Sequence, residues 1–174
     1  MAALILPHGG VTPTFGPDVF VAPGAVVAGD VTVGAESGIW FQCVIRGDVN
    51  FVRIGARTNI QDGTIIHVTT DGNPTLIGSG VTVGHGAILH ACTLEDGCFV
   101  GMGAVLLDGV VVESGAMVAA GAVVAPNKRV PAGEIWAGNP ARLLRAMTEA
   151  ERAFIPVSAA RYVELAARYR QSQS

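Results

Sequence analysis

Three of the four histidines, His67, His85 and His90, are the residues of this sequence best suited to chemistry. Imidazole is the commonest metal ligand, and three such nitrogens around a tetrahedral divalent ion leave a fourth position open to solvent. Water held there is acidified from a pKa near 15.7 to about 7, which makes hydroxide available at neutral pH. The three cysteines, Cys43, Cys92 and Cys98, lack the paired spacing of a zinc knuckle or redox motif and read as small buried thiols. His8 stands apart, ahead of the region that holds the other histidines.

A period of six must position these residues. Aliphatic side chains recur at Val21, Val27, Val33, Ile39 and Ile45, then at Ile54, Ile60 and Ile66, then at Ile77, Val83 and Leu89. They resume at Leu94, Val100, Leu106, Val112, Val118, Val124 and Val130. Four places after each comes a small or β-branched residue, such as Ala25, Val31, Ser37, Cys43, Thr58, Thr64, Val81, Ala87, Thr93, Cys98 and Ala104, which predicts a second inward column. A helix would need apolar spacings of three and four, and a sandwich would need longer strands with longer gaps. Short strands separated by corners instead give a parallel solenoid, with rungs about 4.8 Å apart and three hexapeptides to a coil.

This register converts spacing into position. A three-residue insertion after Asp48 and a five-residue insertion after Thr69 bring Ile45, Ile66 and Leu89 onto one edge, and the residues that follow them are Arg46, His67 and His90. Imidazoles one rung apart can lean together until each nitrogen lies about 2.0–2.1 Å from a shared zinc. His85 comes two places after Val83, beside Asp62 on the preceding edge, and should face away from the other two. Packing three prisms around a threefold axis would set one edge of a subunit against the next edge of its neighbour, so that His85 of one chain completes the site begun by His67 and His90 of another.

The solenoid is expected over residues 1–147 and a C-terminal helix over 148–174, together forming one domain. Pro140 within Trp136-Ala137-Gly138-Asn139-Pro140-Ala141-Arg142 should end the ladder. Thr148 and Glu151 have capping-box spacing. Phe154, Val157, Tyr162, Leu165 and Tyr169 lie near one helical face, and Pro156 should break or kink the helix.

At 174 residues, with 50% hydrophobic and 14% charged residues, the chain can bury one core and has surface to spare for self-association. A net charge of −3 provides no basic footprint for nucleic acid. Residues 1–6 are apolar but lack a cationic start, and no run approaches about 20 apolar residues. The expectation is a cytoplasmic protein with no membrane partner.

Arg46-Gly47-Asp48, Asn59 with Gln61-Asp62, His67, and His85 followed five residues later by His90 resemble the γ-class carbonic anhydrase family of hexapeptide proteins, over nearly the whole chain. The resemblance implies an all-β, left-handed parallel β-helix with a C-terminal α-helix, assembled as a homotrimer. General chirality rules favour right-handed crossovers, so the handedness comes from the resemblance. It also implies zinc, or alternatively Fe2+ or Co2+, held by His67 and His90 of one chain and His85 of the next. Gln61 would hydrogen-bond the metal-bound solvent, with Arg46, Asp62 and Asn59 in the catalytic machinery, and Arg46, Asp48 and Asp62 would form ion pairs between subunits. The implied activity is reversible hydration of carbon dioxide, a small-molecule substrate, to bicarbonate. The founding type of the family carries a proton-shuttling glutamate after its first histidine, whereas residues 68–74 here contain no glutamate and only Asp71 as an acid. Hydration is therefore expected to be slow.

Two other functions compete. The same fold serves acyl-CoA transferases, and Gly138-Asn139-Pro140-Ala141-Arg142 occurs in transferases too. With all three repeat-phase histidines assigned to metal, a metal-dependent acyl-CoA thioesterase is the form of that chemistry open to this chain. The other is a non-catalytic trimeric assembly protein in which metal fixes the interface.

Overall fold

The computed structural model describes residues 2–173, so Met1 and Ser174, the outer limits of the two expected segments, lie outside the described residues. The chain winds as a left-handed parallel β-helix of about seven coils followed by one C-terminal helix. Most strands are two or three residues long, as a six-residue unit with a corner requires. Val26–Val33 and Val44–Ile54 are longer and run around one corner without a break.

Successive coils pair in parallel register. The step between partners is 18 residues from Val26 to Val44, 21 from Val44 to Ile65, 23 from Ile65 to Ile88 and 17 from Ile88 to Val105. The two long steps contain the three- and five-residue insertions. The short step removes one residue beside Ala91, which takes a left-handed φ of 48°. That deletion corrects the expected inner column: Cys92, 1% exposed, points inward in place of Thr93, which is half-buried.

Val27, Ile45, Ile66, Leu89, Leu106 and Val124 form one inner column of the core, and Ile39, Ile60, Val83, Val100 and Val118 form another. Complete burial of each such side chain stabilises the fold by roughly 1.5–3 kcal/mol. Inward hydroxyls are satisfied by the next coil: Ser37 donates to the Gly55 carbonyl at 2.8 Å and Thr58 to that of Gly78 at 2.7 Å. In Arg46-Gly47-Asp48 the central residue must be small, because a Cβ on Gly47 would lie 2.5 Å from the Asp30 carbonyl oxygen.

The prism has three faces and three corner edges. One face presents Leu4, Val26, Val44, Ile65, Ile88, Val105 and Val123 outward as a single paired column. His67 and His90 stand on the edge where that face ends, and His85 on the edge from which it begins. The face on the far side of the His85 edge is covered by the helix.

At the C-terminal end the parallel ladder stops before Pro140, as expected, but the sheet continues past it. The chain reverses at Asn139 and Pro140, and Ala141–Ala146 pairs antiparallel with Glu134–Gly138, because a strand turned back on the last coil can use the free edge that a further parallel coil would have taken. The helix, Glu149–Gln173, is continuous through Pro156, so of the expected break or kink the break does not occur. The missing Pro N–H removes one helical bond, and packing of the adjoining turns on the prism maintains the rest. Its buried face is Ile155, Ser158, Ala159 and Ala166, with Tyr162 half-buried, whereas Phe154, Val157 and Leu165 are exposed. Small residues meet the prism because they allow the helix to approach closely. An aromatic cluster pins its far end, with Trp40 5.3 Å from Tyr162 and 5.5 Å from Tyr169 between ring centroids.

Thr148 and Glu151 form a reciprocal cap, with the Thr148 N–H donating to the Glu151 carboxylate at 2.8 Å and the Glu151 N–H to the Thr148 hydroxyl at 3.3 Å. Arg145, on the last strand, donates to both carboxylate oxygens at 2.8 Å. This guanidinium, followed by the Thr148 donors, holds the Glu151 carboxyl down at about 2, below its ordinary 4.5. A depressed folded-state pKa contributes stability that is complete above the ordinary value and disappears as pH falls through the depressed one. Glu151→Gln should therefore melt below the parent protein at neutral pH, with the difference shrinking below about pH 4.5 and vanishing near pH 2, as followed by circular dichroism.

Candidate metal centre

His67 and His90 are direct ladder partners, the last residues of Ile65–His67 and Ile88–His90. Their rings converge, with centroids 5.2 Å apart and planes at 53°. His67 Nδ1 lies 3.2 Å from His90 Nε2. Each outer nitrogen meets a carboxylate: His67 Nε2 lies 3.0 Å from Asp48 Oδ1, and His90 Nδ1 lies 2.7 Å from Asp108 Oδ1.

These contacts restrict where the protons sit. A carboxylate only accepts, so each outer nitrogen must carry the N–H. In the neutral tautomers both facing nitrogens then present lone pairs, which repel at 3.2 Å unless a cation or an added proton lies between them. Two nitrogens bound to one tetrahedral zinc at about 2.0–2.1 Å would be roughly 3.3–3.4 Å apart. The pair fits a divalent metal in spacing, donor type and supporting carboxylates.

His85 has the same construction on the other edge. Its Nδ1 lies 2.8 Å from Asp62 Oδ2, one coil below, as the stacking predicts. Its Nε2 is 3.5 Å from the Tyr162 hydroxyl. Asn59 and Gln61 share this edge region and are buried. Gln61 Nε2 donates to Asn59 Oδ1 at 2.9 Å, and Asn59 Nδ2 donates to the Thr82 hydroxyl at 3.0 Å, which orients both amides. Among the described residues, no group of three His, Cys, Asp or Glu side chains in one chain could hold a metal. The structure thus brings His67, His90 and Asp48 together and keeps His85, Asp62, Asn59 and Gln61 on a separate edge.

Asp48 also accepts a close hydrogen bond from Arg46 of its own chain. Burial raises the Asp48 pKa, but the Arg46 and His67 hydrogen bonds outweigh it and bring the carboxyl to about 2. Asp108 is likewise held below the usual range, first by the Thr69 hydroxyl. Cys43 and Cys92 are pushed up to about 12 by burial, and Cys98 upward for the same reason, which makes them inert packing groups at neutral pH. A groove of about 880 Å³ lies away from all of this, between the helix residues Arg152, Ile155 and Ala159 and the edge of Ala56, Ser79 and Ser114.

Asp108, Thr69 and Tyr162 are site residues that the sequence did not single out. Carrying the stacking one coil further would have put Asp108 within reach, since Leu106 pairs above Leu89. Nothing in the sequence marks Tyr162, because the helix rotation that aims it at His85 is set by packing.

A β-helix of hexapeptides with carboxylate-backed histidines on two edges defines a class of proteins, and comparison with known proteins agrees. Residues 91–126 match the bacterial transferase hexapeptide family model of six repeats. The chain is 53% identical over 160 residues to γ carbonic anhydrase 2, mitochondrial, of Arabidopsis thaliana, covering 89% of this chain and 58% of that protein. It is 44% identical over 146 residues to carbonic anhydrase of Geobacillus kaustophilus, covering 84% and 80%. A hexapeptide transferase family protein from Anaplasma phagocytophilum superposes with a TM-score of 0.92 at 44% identity, covering 95% and 98%. The chain belongs to the γ-carbonic anhydrase-like family of hexapeptide-repeat proteins. Members of this family are typically metal-dependent and trimeric, and the relatives include bacterial and mitochondrial proteins.

Sharing of ligands between chains has a direct test. On the sequence expectation of a zinc site shared in a trimer, His67→Ala and His85→Ala proteins should each lose bound zinc. After subunit exchange, a mixture of the two should recover part of it, measured by metal analysis of the repurified protein. No recovery despite demonstrated exchange would mean that each chain builds its own site.

Proposed function

We propose that this chain forms a homotrimer with three zinc sites shared between neighbours, which hydrate carbon dioxide reversibly to bicarbonate. The observation that carries this is the His67–His90 pair, with lone pairs facing at 3.2 Å and outer nitrogens held by carboxylates. A third nitrogen is needed, and His85 Nε2 is the one ring nitrogen of its residue left free of a carboxylate.

The apolar outward column supports the assembly. Ile65 and Ile88 are 45% and 39% exposed, and Leu4 is 53% exposed, on a face with no polar residue in that column. Turning this face toward a threefold axis buries it and places the His85 edge of one subunit against the His67 and His90 edge of the next. Arg46, beside the histidine pair, would reach Asp62 across that boundary while keeping Asp48.

Zinc held by three neutral imidazoles supplies hydroxide at neutral pH, with a bound-water pKa near 7. The chain supplies the rest. His67, His90 and His85 donate one nitrogen each, and Asp48, Asp108 and Asp62 hold the outer nitrogens. Gln61, steadied by Asn59, orients reacting solvent, with the Tyr162 hydroxyl beside it near His85. Residues 68–74 include no glutamate, so proton exit depends on buffer more than in a site with its own shuttle.

Two measurements test this reading. The zinc-replete protein should hydrate carbon dioxide faster than the metal-stripped protein and the His85→Ala variant, with a rate that climbs with imidazole buffer concentration. Equal rates would end the carbonic anhydrase assignment, and zinc-dependent hydrolysis of an acyl-CoA in the same preparations would replace it with the thioesterase. Separately, Ile88→Glu puts a charge in the apolar column and should convert trimer to monomer in analytical ultracentrifugation, with loss of bound zinc.

A further inference from the structure

We infer that Asp108, itself clamped by Thr69, is the positioning residue that commits His90 to metal binding, and that the insertion after Thr69 serves to hold Thr69 in place. This rests on the shared-metal reading above and extends it from the Asp108–His90 contact to Thr69 and the turn that follows it.

The Asp108–His90 contact, 2.7 Å, is the shortest of the three histidine–carboxylate pairs, the others being 2.8 and 3.0 Å. It is also among the less protected, because the Asp108 side chain is 42% exposed. A carboxylate that open to water would rotate among solvated positions unless its second oxygen were held. That oxygen accepts a close hydrogen bond from the Thr69 hydroxyl. Thr69 belongs to the coil of His67, whereas Asp108 is two coils further along, a backbone rise of about 10 Å.

The Thr69 hydroxyl meets Asp108 across that rise, and the inserted residues that follow fix its position. Their turn is tied internally by Gly72 N–H to the Thr69 carbonyl at 3.3 Å. It is tied below by Asn50 Nδ2, which donates to the carbonyls of Thr69 at 3.2 Å and Gly72 at 3.0 Å. At its return, the Thr75 hydroxyl donates to the His67 carbonyl at 2.7 Å. A closed circuit results, from His67 through the turn to Thr69, then Asp108 and His90, and back across the 3.2 Å gap. With Nδ1 occupied by Asp108, only Nε2 of His90 can face His67. Without that acceptor the ring can turn over and the tautomer can exchange.

The test uses cobalt(II), whose visible absorption reports coordination, on the full-length trimer. Asp108→Ala should bind cobalt 10–100-fold more weakly, the range usual for loss of such a partner, with an altered visible spectrum. Asp108→Asn keeps an acceptor for His90 and should lose less. Thr69→Val, which removes only the hydroxyl, should shift affinity and spectrum in the same direction by a smaller factor, and it carries the test should Asp108→Ala not fold. Asp71→Asn, in the same turn, should match the parent, and the altered spectrum of the Asp108 and Thr69 variants should persist at saturating cobalt, which a merely structural role would not produce. Parent-like affinity and spectrum in both Asp108→Ala and Thr69→Val overturn the inference while leaving the shared site standing. Failure of the parent trimer to retain cobalt overturns the metal reading itself and this inference with it.

Discussion

Parallel coils stack at about 4.8 Å, and hydrogen bonding in strict register leaves no freedom in which residue stands above which. His67 and His90 meet only because Ile66 and Leu89 are ladder partners in the core beneath them. A one-residue slip in either coil would send one ring inward and an aliphatic residue outward. The chemistry of the surface therefore depends on the packing of the interior, and the six-residue repeat acts as a ruler for both. The insertions leave this ruler intact because they fall at a corner, where extra chain does not disturb the flanking pairs.

Placing two imidazoles one rung apart creates an electrostatic problem as well as an opportunity. Tying both outer nitrogens to carboxylates forces the inner lone pairs together, a cost that a cation between them reverses. The carboxylates thus fix ring orientation and, in the proposed site, would favour a bound cation over the bare pair. His85 repeats the device with Asp62 on the second edge, although its environment includes the helix through Tyr162. The three pairs come from three different sequence neighbourhoods, which points to a requirement of the site and not of the fold.

The helix closes one face and leaves another bare. Its small residues lie against the prism, and its aromatic end grips Phe20, Trp40 and Phe41. That docking fixes the helix rotation and so sets Tyr162 beside His85. The opposite arrangement holds on the face between the histidine edges, where an unbroken Leu, Val and Ile column has no covering element among the described residues. In the proposed trimer, burying that column and completing the metal site would be the same event.

The repeat, the insertions, the histidine edges and the pairing of His85 with Asp62 were all legible in the residues, because each follows from counting along a period that local strand geometry enforces. Counting failed where the period itself changed. The coil one residue short at Ala91 moved the inner position from Thr93 to Cys92, and nothing local announced it. The helix was legible in its cap but not in its face: its apolar residues lie on both sides, and contact with a flat sheet selected the small ones. Pro156 proved compatible with a continuous helix because neighbouring turns are held by the prism. Thr69, Asp108 and Tyr162 became visible only in three dimensions. The first two are joined across two coils by a turn whose path the period does not specify, and the third reaches His85 from an element with a different periodicity. Sequence alone determined which residues share an edge, since that is a property of the backbone repeat. Tertiary structure decided which side chains turn toward one another, since that depends on rotamers, corner conformations and docking outside the repeat.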